Sequence, residues 1–449
     1  MNNRKSILFV VMLLVFQVGM AQQNQAQNYS LKDAVTFAKK NNYSLKNSKL
    51  DVLSSQKKVN EIFAMGLPQI TGTANIVNNV QIGQQVIPNF LKQAMGSGPD
   101  YLTLSFARPF TSGITVSANQ LIFDGTFFLG VKASKEFVNL SQLNLTRSEI
   151  ETEVNVSKAY YLVLLLEANE NMMAKNIESL QKTKSDVEQF FKNGFSEKVD
   201  VERLTLQLSN LTLQKEKMHD QKAIAQMVLK LQMGLNVADS ILLTDGLEQL
   251  YESSKNEINV AEAVNFGSRI EYKMLNQQLS LNKLDKKRYN VGYLPGFYAF
   301  ATHNENAFGD NLGNLYDKFY PGTMVGLSMN LPIFDGFRKL AQTQQAAISI
   351  TKTENDIKNF ENLINQQVYQ SRSSYLRTSQ QLEIQRGNLK LAQDIYNKME
   401  IKYRNGVGSS LELTTAQADL ENARTNLLTT VYDYFVAEME LKKALGQIK

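Results

Sequence analysis

The sequence predicts a mainly α-helical chain that carries a transmembrane β-barrel, built from a duplicated helix-strand-strand-helix-helix unit. Three observations predict it. Leu121-Ile122-Phe123-Asp124-Gly125 closes a run of alternating residues, and Leu331-Pro332-Ile333-Phe334-Asp335-Gly336 closes another 211 positions later. After each phrase the apolar spacing changes from two to three and four, so each marks a strand handing over to a helix. The landmarks then keep step: Asn193-Gly194 recurs as Asn405-Gly406 and Met233-Gly234 as Leu445-Gly446, both 212 apart. Upstream, Asp33-Ala34-Val35-Thr36-Phe37 resembles Glu262-Ala263-Val264-Asn265-Phe266, and Leu67-Pro68 resembles Leu294-Pro295 at an offset of 227. Finally, all seven prolines (68, 88, 99, 109, 295, 321 and 332) lie in or beside strand segments. Two long arrays are thus free of the residue that costs about 3 kcal/mol inside a helix.

The layout read in order starts with a signal peptide over 1–21. Arg4 and Lys5 precede an uncharged run from Ile7 to Phe16, and Gly19-Met20-Ala21 gives a small-x-small cleavage pattern. The run is too short to span a bilayer, and no later stretch has the 18 or so apolar residues a spanning helix needs. The first repeat is placed at 22–235, with strands at about 69–82 and 110–123 and long helices at about 130–192 and 197–233. Residues 236–257 connect the repeats as a strap, with a β-like Ile241-Leu242-Leu243 run and an Asp245-Gly246 turn. The second repeat is placed at 258–449, with strands at about 297–303 and 323–334 and long helices at about 337–403 and 409–445.

In the strands, Ile70, Gly72, Ala74 and Ile76 alternate with Thr71, Thr73 and Asn75, and Val325, Leu327 and Met329 with Gly326, Ser328 and Asn330. Loops are expected at about 83–109 and 303–321. The helices follow heptad-like rows, among them Val201, Leu204, Leu208 and Leu211, and Ala416, Leu420, Ala423 and Leu427. At 1.5 Å per residue the stretch from Gly130 to Lys192 would be about 90 Å long, too long for an ordinary globule. Ser, Thr, Gln and Ala fill much of the rows, which suits a wall with one packed seam and water on both sides.

Composition narrows the function. The chain has no cysteine, which excludes disulfides, thiolate metal sites and a nucleophilic thiol. Its two histidines, His219 and His303, lack any metal-ligand spacing. Without Arg4 and Lys5 the charge falls to +3, from 46 bases against 43 acids, which gives no case for nucleic acid. The glycines of Gly125-Thr126-Phe127-Phe128-Leu129-Gly130-Val131-Lys132 are spaced like a phosphate loop, but Val131 stands where lysine is required, and no Gly-x-Ser-x-Gly occurs. No enzyme activity and no cofactor are expected.

Four strands cannot close in lipid, where an unpaired edge leaves backbone groups unsatisfied at several kcal/mol each. Several copies must pool their strands: two would give eight and a filled lumen, three would give twelve and room for a pore. Polar positions such as Asn75, Asn79, Asn119 and Asn330 favour the wider option.

The signal peptide, the two Ile-Phe-Asp-Gly phrases, the Asn-Gly turns followed six residues later by an acid, and Leu441-Lys442-Lys443-Ala444-Leu445-Gly446 together resemble the TolC-like outer-membrane efflux family. That resemblance implies a homotrimer with a 12-stranded barrel in outer-membrane lipid and an α-helical tunnel extending into the periplasm. It also implies partners: a periplasmic adaptor protein and an inner-membrane transporter. The helix-turn tips would be Asn193, Gly194 and Phe195 with Asn405, Gly406 and Val407, where the family has Val-Gly. Asp200 and Glu412 would narrow the tunnel mouth, although an acid in a first helical turn is also favoured by the helix dipole. Arg203 and Thr415 stand where family members have a second acid, so any ring is weaker. Phe123, Asp124, Gly125, Phe334, Asp335 and Gly336 would form the strand-to-helix junctions. A rival reading is a secreted coiled-coil scaffold whose strands form a small capping sheet.

Overall fold

The computed structural model describes residues 27–90, 92, 96–254, 260 and 263–448. The leader expected at 1–21 and Glu262 of the repeated phrase lie outside the described residues. The first repeat contains β1 (Gln27–Tyr29), α1 (Leu31–Asn41), α2 (Tyr43–Ala64), β2 (Gln69–Asn78), β3 (Gln85–Pro88), β4 (Tyr101–Leu104), β5 (Phe110–Phe123), α3 (Gly125–Lys192) and α4 (Lys198–Met233). After β6 (Ile241–Leu243) and α5 (Leu247–Ser254) come α6 (Ile270–Val291), β7 (Gly296–Gly309), β8 (Phe319–Asn330), α7 (Arg338–Arg404) and α8 (Ser410–Leu445). Both ends of α2 and α6 are 227 positions apart, and both ends of α4 and α8 are 212 apart. Most elements of the two repeats therefore correspond.

The chain divides into two compact units. One comprises residues up to 52, 140–276 and 355 onward. Its main core joins Val156, Tyr160 and Val163 of α3, Leu229 and Met233 of α4, and Val431 and Phe435 of α8. Tyr161 stacks on Phe435 with centroids 4.4 Å apart. The Tyr375 and Tyr434 hydroxyls are 3.0 Å apart, so these helical tyrosines pack between helices. The connecting segment is clasped here: β6 pairs in parallel with β1, and Asp245 Oδ2 accepts from the Leu31 amide at 2.7 Å. The Tyr160 hydroxyl donates to the Tyr29 carbonyl at 2.9 Å and to Asp245 at 3.0 Å. Burial first, then the neighbouring carboxylate, pushes the Tyr160 hydroxyl well above the ordinary phenol range.

The other unit comprises 53–139 and 277–354. Its four-stranded antiparallel sheet has the order β2-β5-β7-β8. The register puts Ala74, Ile114, Val116, Ala118, Val325 and Leu327 on one face, and Thr73, Asn75, Thr115, Ser117, Asn304 and Gly326 on the other. His303 and Glu305 fall on the same face as the apolar set, together with Thr323, and their charged groups are 3.5 Å apart.

Strand ends differ from expectation where pairing overrides local composition. The strand expected at about 297–303 continues through His303-Asn304-Glu305-Asn306, because β5 and β8 pair with it on both sides. β8 is shifted toward the N-terminus, starting at Phe319 and ending at Asn330; Pro332 offers no amide to extend the ladder. Pro321 is tolerated within β8 because that strand lies at the sheet edge. β2 stops at Asn78, after which the Asn79 amide donates to the Pro109 carbonyl at 2.7 Å. The loop expected at about 83–109 contains the β3-β4 hairpin. α3 starts five residues before the expected position 130, directly after Asp124.

Candidate functional site: helix tips and strand-to-helix junctions

At the first tip, α3 ends in a left-handed Gly194 (φ 74°), and the Phe195 amide donates back to the Phe190 carbonyl at 2.8 Å. The second tip repeats this at Gly406 (φ 73°), with the Val407 amide donating to the Lys402 carbonyl at 3.1 Å. Such glycine-centred turns satisfy the last carbonyls of a helix. They leave an apolar residue at each apex in the open: Phe195 is 83% and Val407 77% exposed. Asn193 sends its side-chain amide back to the Gln189 carbonyl at 3.0 Å, and the Asn405 backbone amide donates to the Ile401 carbonyl at 3.1 Å.

Both acids named from the sequence occupy first helical turns, but only Asp200 bridges the two hairpins. In α8, Ser409 and Glu412 form a reciprocal cap, with the Glu412 amide on Ser409 Oγ at 3.1 Å and the Ser409 amide near Glu412 Oε2 at 3.4 Å. In α4, Asp200 Oδ2 accepts from Ser196 Oγ at 3.2 Å and lies 3.4 Å from the Glu197 amide. Its other oxygen accepts a 2.6 Å hydrogen bond from Ser410 Oγ at the start of α8. Asp200 therefore joins the two tips as well as starting its own helix.

Packing reinforces the link. Leu180, Val187 and Leu204 form a buried cluster, with Tyr403 of α7 against it. Burial, then the charges of Asp200 and Asp186, pushes the Tyr403 hydroxyl up. Farther along α8, Gln417 is buried and the Arg424 guanidinium donates to Gln393 at 2.8 Å. Burial pushes the Glu421 carboxyl beside them up.

Sequence reasoning missed Ser410. The spacing Ser409-x-x-Glu412 does mark a helix start, but nothing local says that the next serine reaches a residue 210 positions away. That contact depends on the two hairpins lying side by side.

The junctions, in the other unit, are not equivalent. At the first, Asp124 Oδ1 accepts from the Thr126 amide at 2.7 Å, Thr126 Oγ1 at 2.5 Å and the Phe127 amide at 3.2 Å, so the carboxylate caps α3 directly. Burial alone would raise Asp124, but these hydrogen bonds outweigh it and hold the carboxyl below its usual range. At the second, Gly336 (φ 64°) and Phe337 (φ 65°) insert a left-handed step before α7 begins at Arg338. There Asp335 Oδ2 accepts from the Lys339 amide at 3.2 Å. Phenylalanines cluster at both, with Phe127 and Phe128 5.4 Å apart and Phe334 and Phe337 also 5.4 Å apart.

Among the described residues no group of His, Cys, Asp or Glu could hold a metal ion, and no helix is long and apolar enough to cross a membrane. The helix tips offer polar turns and apolar apices, and the other unit a two-faced sheet.

Comparison with known proteins points the same way. A family model described as outer membrane efflux protein matches residues 291–447. The probable efflux pump outer membrane protein TtgC of Pseudomonas putida is 28% identical over 150 residues, covering 32% of this chain and 30% of the relative. The outer membrane protein TolC of Escherichia coli is 26% identical over 137 residues, covering 30% and 28%. The chain thus spans less than a third of the length of these curated relatives. The fold match is far more extensive: the outer membrane protein VceC of Vibrio cholerae superposes with a TM-score of 0.69 at 15% identity, covering 93% of this chain and 96% of that one.

Proposed function

We propose that the chain is an outer membrane efflux protein, the family whose model matches residues 291–447, and that it forms the outer-membrane channel of a tripartite export system. It acts as a passive conduit across the periplasm for cargo passed from an inner-membrane transporter through a periplasmic adaptor.

The observation that carries this reading is the two-faced sheet with two free edges. Thr73, Asn75, Thr115, Ser117 and Asn304 line one face, whereas Ile114, Val116, Val325, Leu327 and Met329 stand exposed on the other. Apolar-out and polar-in alternation is what a barrel wall in lipid requires. β2 and β8, the outer strands, run in opposite directions, so β8 of one copy beside β2 of the next continues the antiparallel alternation. Three copies give twelve strands and an open lumen, and no edge remains in the hydrocarbon.

In this reading the long helices of the repeats at 22–235 and 258–449, joined by 236–257, form a helical tunnel. Phe195 and Val407, with Asn193, Gly194, Asn405 and Gly406, contact the adaptor. Asp200 and Glu412 narrow the mouth, and opening is a splaying of the helix pairs at these turns. The energy for transport comes from the partner transporter.

Planar bilayers test the proposal. The purified full-length protein is expected to give stepwise, ohmic single-channel currents. Persistently silent bilayers, with protein that a salt wash releases from membranes, would return the chain to the scaffold reading.

A further inference from the structure

We infer that four lysines on two neighbouring helices, Lys132 and Lys135 of α3 with Lys283 and Lys287 of α6, bind the phosphate headgroups of anionic phospholipid. α3 continues from β5 and α6 leads into β7, so the site belongs to the two central strands of the sheet and not to its edges. The inference rests on the channel reading above, which puts the sheet's apolar face in lipid, and adds a ligand class and the residues that hold it.

Charge is distributed unevenly about the sheet. The segments at its helix end (53–68, 124–139, 277–295 and 331–354) carry eleven bases against six acids, whereas the loops at the opposite end (79–109 and 310–318) carry three of each. Four of the eleven bases gather in one place. α3 and α6 are pinned side by side at two points: Gln277 Nε2 donates to the Glu136 carbonyl at 2.9 Å, and a side chain at Gly125 would strike Val291 Cγ1. All four lysines fall between these points, within about 20 Å along the helix axes. Lys132 and Lys135 follow Phe128 on one face of α3, and Lys283 and Lys287 precede Leu294 on one face of α6, at helical steps of three, four and seven. Every member of both stripes is exposed.

Both stripes lie on the side of the lipid. The Phe128 ring is 5.9 Å from that of Phe123, which is 6.5 Å from Phe297, and the register sets Phe297 beside Met329 on the apolar face. α6 has α3 on one flank, through Gln277 and Val291, and α7 on the other, where Asn282 donates to Thr353 Oγ1 at 2.8 Å. The right-handed turn of each helix then puts Lys283, Lys287 and Leu294 on the same side of the pair as Phe128, Lys132 and Lys135. None of the four lysines makes an ion pair or hydrogen bond among the described residues. The carboxylate beside them, Glu136, already accepts from Gln277 at 2.8 Å and Asn139 at 3.1 Å. Four unpaired like charges repel one another, and a shared anion relieves that. A phospholipid supplies it in the right place: its acyl chains lie against Phe123, Phe128 and Leu294, and its phosphate sits at the level the long lysine stems reach.

The test uses the full-length protein in a neutral detergent, with phosphatidylglycerol or phosphatidylcholine of matched chains added to the micelles and bound lipid counted by native mass spectrometry. Phosphatidylglycerol is expected to be retained at least ten-fold more strongly, since each lysine at an anionic surface contributes roughly five-fold. K132Q/K135Q/K283Q/K287Q should abolish that preference, and K283Q/K287Q alone should weaken it about five-fold or more. K132R/K135R/K283R/K287R should keep it. K182Q/K198Q/K390Q/K398Q, which alters four exposed lysines of the other unit, should leave it unchanged. Equal retention of the two lipids by the unmodified protein, or an undiminished preference in both glutamine variants, would overturn the site. Displacement of the lipid by an equal concentration of inorganic phosphate would also overturn it, because the patch would then take the free anion and not a headgroup. Unmodified protein that stays monodisperse in buffer without detergent would instead overturn the channel reading, and the lipid site with it.

Discussion

Replacing Asp200 with alanine is expected to raise single-channel conductance several-fold. The substitution removes the 2.6 Å hydrogen bond from Ser410 that ties the start of α4 to the start of α8, and the contacts with Ser196 and the Glu197 amide. A hydrogen bond to a charged group contributes about 1.5–3 kcal/mol and a cap about 1 kcal/mol. The cap is common to both states, so the bond between hairpins sets the shift, and a loss of about 2 kcal/mol moves a closed-to-open equilibrium of the tips by roughly thirtyfold. S410A should reproduce much of the effect, since it removes the bond between hairpins and leaves the cap. E412Q should raise conductance little, because Glu412 hydrogen-bonds locally to Ser409. Reversal potentials measured on the same variants separate latch from selectivity filter. If D200A and E412Q leave cation preference unchanged, neither acid lies at the constriction. If D200A and S410A leave conductance unchanged, the bond between the tips does not hold the mouth closed.

Gly234→Ala is expected to have the largest effect on stability. Gly234 ends α4 in the left-handed region (φ 79°), and a Cβ there would sit 2.4 Å from the Asn41 carbonyl oxygen and 2.6 Å from its carbon. The obstacle is backbone, which cannot rotate aside. Left-handed backbone alone costs a non-glycine residue about 1–2 kcal/mol. Separating α4 from the α1-α2 corner adds to this, for a total of about 3–4 kcal/mol. Gly446→Ala should behave alike, since Gly446 ends α8 at φ 70° against the Ser268 backbone, the equivalent position in the second repeat. Thermal unfolding followed by circular dichroism should show both midpoints lowered by several degrees, whereas G130A, in open space within α3, should be neutral or slightly stabilising. Unchanged midpoints for Gly234→Ala and Gly446→Ala would mean that these corners are looser than the structure has them.

The parts of the fold that were legible in the sequence are those set by local periodicity. The proline-free heptad-like rows become α3, α4, α7 and α8, and the alternation at 110–123 becomes β5, with those bounds. What local pattern could not supply was pairing. His303-Asn304-Glu305-Asn306 reads as loop, and it is strand because β5 and β8 hold it on both sides. The β3-β4 hairpin was hidden by its Pro-, Gly- and Gln-rich surroundings.

The site was legible to a similar degree. Glycine turns announced both tips and acids in first turns announced helix starts, but the bond from Ser410 to Asp200 joins residues 210 positions apart. The duplication suggests two like junctions, yet Phe337 adopts a left-handed backbone at the second while Asp124 caps α3 directly at the first. Sequence symmetry predicts equivalent positions; the neighbours at each position differ.

Native mass spectrometry of the full-length protein in mild detergent tests the central claim most directly, because a four-stranded sheet with two free edges cannot stand alone in lipid. A species of three chains that requires detergent for solubility is predicted. A monodisperse single chain, soluble without detergent, would contradict the account.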